Sequence, residues 1–81
     1  MMKSKQKIID DGQHADRFLK DPDFMRFMRE IEESCWSDFK ETEPSDKDGR
    51  EAIYSKMRGV DAVITHLRVM VENGAIEKKH K

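Results

Sequence analysis

Apolar residues recur between positions 48 and 74 at alternating spacings of four and three: Ile53, Met57, Val60, Ile64, Leu67 and Val71. This is the a/d seam of a helix that packs lengthwise on another helix, kept up for about three heptads. The spacing predicts one long helix. Asp48 is placed to cap its start, with Glu51 three residues on as a capping-box partner. Asn73-Gly74 predicts its end, because glycine takes the left-handed conformation of a C-terminal cap. Ala75 and Ile76 would then fold back on Met70. Gly59 lies inside this helix, at the edge of the stripe. Either another helix approaches closely there, or the glycine is simply tolerated at a cost of about 1 kcal/mol.

Upstream, Phe24, Phe27/Met28, Ile31, Cys35 and Phe39 line one face of a second helix, from Pro22 to about Glu41. Asp21 caps it, and Pro22 suits the first helical position, where its missing N–H costs nothing. Met25 and Trp36 flank the face, so the apolar stripe is wider than one partner helix covers. Pro44 ends the helix, and the short connection 42–47 favours an antiparallel neighbour. Ala15, Phe18 and Leu19 mark a shorter helix of about residues 12–20, capped by Asp10 or Asp11. It must stop by Lys20, since the residue before a proline is pushed out of helical geometry. At ~1.5 Å per residue the second helix is roughly 30 Å long and the third roughly 37 Å. The shortfall leaves room for the first helix at the open end of the hairpin.

The expected fold is therefore all-α: a long antiparallel helical hairpin with a short N-terminal helix packed on it, three helices in one domain spanning 1–81. Residues 1–9 are expected to form a basic N-terminal arm and 75–81 a mobile basic tail. The expected core sets Phe24, Met28, Ile31, Cys35 and Phe39 against Ile53, Met57, Val60, Ile64, Leu67 and Val71.

Composition changes this picture little, and charge changes it more. Charged residues make up 41 % of the chain and hydrophobic ones 36 %, the balance of a small solvated helical protein. The net charge of −1 hides a segregation. Residues 1–20 carry five Lys/Arg against three Asp/Glu, net +2; residues 21–49 carry four against ten, net −6; residues 50–81 carry seven against four, net +3. An acidic arm between basic arms is suited to favouring helix pairing, although isolated surface pairs contribute little. A lone Cys35 excludes an internal disulfide and suits a reducing compartment. No apolar run reaches the ~18 residues that span a membrane.

Candidate chemistry is sparse. His14, His66, His80 and Cys35 lie apart, without metal-ligand spacing. The four glycines stand alone, so no phosphate-cradling loop is expected. Cys35 falls on an apolar helix face and reads as a buried structural thiol. The adjacent acids Asp10-Asp11 and Glu32-Glu33 diverge by about 100° in a helix and make a poor acid/base pair. No catalytic residue, metal or cofactor is expected. Trp36 reads first as an edge-of-core residue that buries its ring and shows a polar tip, whereas for Tyr54 exposure or a partner contact fits as well as burial. Tyr54 lies roughly 100° from the seam. Met25, Trp36 and Tyr54 are the candidate partner-binding residues. Lys3, Lys5, Lys7 and the tail lysines are basic, but no nucleic-acid motif accompanies them.

The stretch Ala15…Phe18-Leu19…Asp21-Pro22…Phe24, then Trp36…Thr42-x-Pro44-x-Asp46-x-x-Gly49-Arg50-Glu51, then Val60-Asp61-x-Val63…Leu67…Asn73-Gly74 resembles a group of small helical bacteriophage proteins, often encoded among virion-assembly genes. The resemblance covers about residues 15–76. Its most distinctive part is the connection with Gly49-Arg50-Glu51. It implies a phage origin and an accessory role in an infected bacterial cytoplasm or in the particle, with no activity to carry over.

The leading expectation is a non-enzymatic protein that self-associates, most simply as a dimer, or docks on a phage or host protein. One alternative is a nucleic-acid-binding packaging or regulatory subunit, which salt-dependent DNA retention would reveal. Another is a decoy that sequesters a host signalling nucleotide or blocks a host defence protein, which thermal stabilisation by cyclic nucleotides would reveal.

Overall fold

Ser4 opens the first helix: its hydroxyl accepts from the Lys7 N–H at 3.2 Å, and α1 runs Lys5–Lys20. The structure, a computed structural model, describes residues 4–80. α1 thus begins well before residue 12, and Ser4 caps it rather than Asp10 or Asp11. Those two acids sit inside the helix, both half-buried. Gln6 Nε2 donates to Asp10 at 2.9 Å, and Lys7 pairs with Asp11 at 3.2 Å. Of the expected basic arm 1–9, residues 5–9 are helical, Ser4 is the cap, and 1–3 lie outside the described residues.

The break at Asp21 and the span of α2, Pro22–Glu41, agree with the sequence. The Asp21 carboxylate accepts from Asp23 N–H at 2.8 Å and Phe24 N–H at 3.1 Å, satisfying donors that the helix start leaves open.

α3 runs Lys47–Lys79. Asp46, not Asp48, is its cap: Asp46 Oδ1 accepts from Gly49 N–H at 3.0 Å. A Cβ at Gly49 would crowd that carboxylate, the end of a side chain that can shift. Asp48 instead lies in the first turn, where its charge meets the positive end of the helix dipole.

Gly74 does not end α3. It keeps helical geometry, and the described residues include no glycine with positive φ. It is buried against α1. A Cβ on Gly74 would lie 3.1 Å from Gly12 Cα and 3.2 Å from Ile8 O. A Cβ on Gly12 would lie 2.8 Å from Met70 O. The two glycines let the backbones of α1 and α3 touch, which outweighs the cost of glycine in a helix interior. The helix therefore carries on through Ala75 and Ile76, neither of which folds back on Met70. Residues 75–79 of the expected mobile tail are helical, His80 is the cap, and Lys81 lies outside the described residues.

The result is all-α. α1 and α2 follow one another along a single side of α3, both antiparallel to it. Gly12 meets Met70 and Gly74, Met25 shares a cleft with Arg68, and Arg50 reaches Phe39. Phe18 and Phe24 pack across the break with centroids 5.3 Å apart. The first helix does occupy the open end of the hairpin, and its packing on α3 is more extensive than that of α2. The body measures 56 × 29 × 16 Å, one layer of helices.

One layer buries little. Ala15 and Cys35 are 1 % exposed and Val60 8 %, and these three are the buried apolar residues of the described chain. Cys35 is the buried thiol that its helix face predicts. Phe24, Met28, Phe39, Ile53, Met57, Ile64, Leu67 and Val71 are only half-buried. Ile31, expected in the core, is 39 % exposed. An antiparallel neighbour covers one stripe of α2, and Ile31 lies beyond its edge. Among the described residues the acidic arm makes no ion pair with the basic ones either. The ion pairs among the described residues, such as Lys20–Asp16 at 2.8 Å and Arg26–Glu30 at 3.5 Å, run along single helices.

Candidate interaction surfaces

The turn end of the hairpin is held by a chain of contacts. Thr42 Oγ1 donates to Phe39 O at 2.7 Å and accepts from Arg50 Nε at 3.0 Å. The Arg50 guanidinium lies 4.7 Å from the Phe39 ring centroid. Phe39 in turn stacks on Trp36, centroids 5.7 Å apart and 5° from parallel, and Lys40 Nζ sits 5.6 Å from the Trp36 centroid. Arg50 thereby ties the start of α3 to the end of α2, a physical reason for the Thr42…Gly49-Arg50 pattern. Thr42→Val is expected to remove both hydrogen bonds and to lower stability by about 1–2 kcal/mol. Urea unfolding should show a lower midpoint with an unchanged slope.

The hairpin presents two broad faces. On one, a cleft of about 810 Å³ separates α2 from α3, lined by Met25, Arg29, Glu32, Arg58, Asp61 and Arg68 among others. Met25 is half-buried in it. Trp36 is eleven residues beyond Met25, and Tyr54 seven before Asp61; each offset is within about 20° of a whole number of turns. The three candidate residues therefore share this face, and Trp36 and Tyr54 are both more than half exposed. Trp36 is not covered by α1, which lies on the far half of α3. The cleft's charges are mixed, and among the described residues no buried side-chain polar atom lacks a partner. It offers no anchored polar group for a small ligand.

The opposite face sets exposed apolar side chains among polar ones. Phe27 and Ile31 of α2 border a hollow with Glu30, Ser34 and Lys56. Val63 follows Lys56 by seven residues and shares its bearing, with Gly59 between them. Phe27 is 52 % exposed and Val63 45 %. Phe18, equally exposed, stands three residues past the buried Ala15, as Phe27 stands three past Phe24, so both flank the seam on the same side. Gly59 has nothing within 4 Å of where its Cβ would be, so no helix of this chain approaches it.

The spacing sets Ile31 in the core and Phe27 beside Met28 on the same face. Their exposure could not be read from spacing alone. The signal available was the width of the α2 stripe.

Among the described residues no group of three or more His, Cys, Asp or Glu side chains is gathered to hold a metal ion. No described helix is long and apolar enough to cross a membrane. No protein-family model, curated protein or solved structure matches this chain.

Proposed function

We propose that this protein works by protein association and not by catalysis. It is a small helical accessory protein of phage growth that self-associates and docks on a phage or host protein in the infected bacterial cytoplasm. One observation carries the reading. The chain exposes 6557 Å², whereas a folded monomer of 9.6 kDa is expected to expose about 5,100 Å². Domains ordinarily pack two layers of structure around a core, and this hairpin has one. A second protein surface supplies the other. The resemblance to small phage proteins supports the setting.

Met25, Trp36 and Tyr54 are assigned to docking on the partner protein. Aromatic and methionine anchors within a charged surround are the composition of a protein interface. Sedimentation equilibrium at tens of micromolar is expected to return a mass above 9.6 kDa. A monomer mass throughout that range would overturn self-association.

A further inference from the structure

We infer that the face bearing Phe27, Ile31, Gly59 and Val63 is the seat of a second copy of this chain, and that two copies form an antiparallel four-helix bundle in which α2 of each lies on α3 of the other. The inference rests on the reading of the protein as self-associating; it adds the surface and the arrangement.

Area supports a second copy as the occupant. The surplus surface is about 1,450 Å² per chain, or about 2,900 Å² for a pair, which falls within the range of obligate homodimers. A pair is symmetric, so each copy must offer the same patch to the other. The face bearing Phe27 and Ile31 satisfies this. Its large side chains come from α2 and its bare backbone from α3. Phe27, Ile31 and Lys56 border one hollow, so Gly59 is level with the two apolar side chains across the hairpin. Gly59 leaves open space on an exposed helix face, a costly choice that nothing in the chain uses. The Gly12–Gly74 contact shows what this chain gains from a bare helix backbone elsewhere: close approach. A partner's Phe27 or Ile31 fits the bare surface at Gly59.

Charge selects the arrangement. Two hairpins stacked face to face are related by a two-fold axis running either along the helices or across them. An axis across them lays α2 on the partner's α2, setting one helix of three Lys/Arg against six Asp/Glu, net −3, on another. An axis along them lays α2 on the partner's α3, a helix of seven Lys/Arg against five Asp/Glu, net +2; neighbouring helices are antiparallel in either case. The acidic arm makes no ion pair with α3 among the described residues of its own chain. The partner's α3, with Lys56 at the border of the hollow, is its counterpart.

The test is sedimentation equilibrium of the full chain beside Gly59→Gln, Phe27→Glu and Trp36→Glu, with circular dichroism to check helicity. Gly59→Gln meets nothing in its own chain and improves helix propensity, so it keeps the monomer folded. The expected result is dimerisation weakened about tenfold or more by Gly59→Gln and by Phe27→Glu, and little changed by Trp36→Glu. Rising salt is expected to weaken the parent dimer, because unlike charges face each other. If the parent is a monomer, the reading of self-association itself fails. If the parent is a dimer that Gly59→Gln leaves intact, the surface is wrong and self-association stands. If salt tightens the dimer, acidic helices face each other and the arrangement is wrong.

Discussion

Gly12→Leu is expected to detach α1 from α3 and to produce the largest loss of stability of any substitution considered. The Cβ alone would stand 2.8 Å from Met70 O and 3.1 Å from Gly74 Cα. Both neighbours are backbone, so no side chain can rotate away. Overpacking usually costs about 1–3 kcal/mol, and this site belongs at the upper end. A domain of this size has roughly 4–12 kcal/mol in total, and each kcal/mol moves the melting temperature by about 4–8 °C. A fall of some 10–20 °C is therefore expected in thermal denaturation. Gly12→Ala separates the competing terms. In an open helix it would stabilise by about 1 kcal/mol; against the Met70 carbonyl it is expected to destabilise. A stabilised Gly12→Ala would mean that the two backbones do not touch.

Ala75→Pro is expected to be the next most damaging. Position 75 lies inside α3, four residues before its last. Proline there removes the N–H that bonds to the Val71 carbonyl and sets its ring against it, costing about 3 kcal/mol. The loss should appear both in helicity by circular dichroism and in the urea midpoint. Had α3 ended at Gly74, a proline just past the cap would have been nearly neutral. Wild-type stability in Ala75→Pro would restore that earlier ending.

Both predictions turn on glycines whose role local sequence could not supply. Asn73-Gly74 carries the composition of a helix stop, and nothing nearby in the chain contradicts that. What overrides it is Gly12, sixty-two positions away, whose bare backbone lies against it. The same distant contact lets α1 start at Lys5 and run through a glycine. Gly49 is a different case: its partner Asp46 is three residues back, so the cap could have been read locally, but Asp48 offered an equally good side chain. Choosing between the two aspartates required the backbone of the turn, which Thr42 and Arg50 hold in place.

The candidate surfaces were legible in part. Spacing put Met25, Trp36 and Tyr54 off the seam, and they are off it. It did not show that Trp36 braces the turn through Phe39, because that stack depends on the exposed rotamers at the end of α2. Nor did it show that Phe27 and Ile31 share an open face with Gly59.

By itself the sequence determined the helices, the break at Asp21-Pro22, the antiparallel return and the burial of Cys35. Caps, prolines and the 3.5-residue repeat act over a few residues, so a linear reading contains their physics. Only the tertiary structure decided where α1 and α3 begin and end, and which apolar residues stay in water. Those outcomes depend on which backbones can approach and how much of each stripe a neighbour covers, quantities set by residues far apart in the chain.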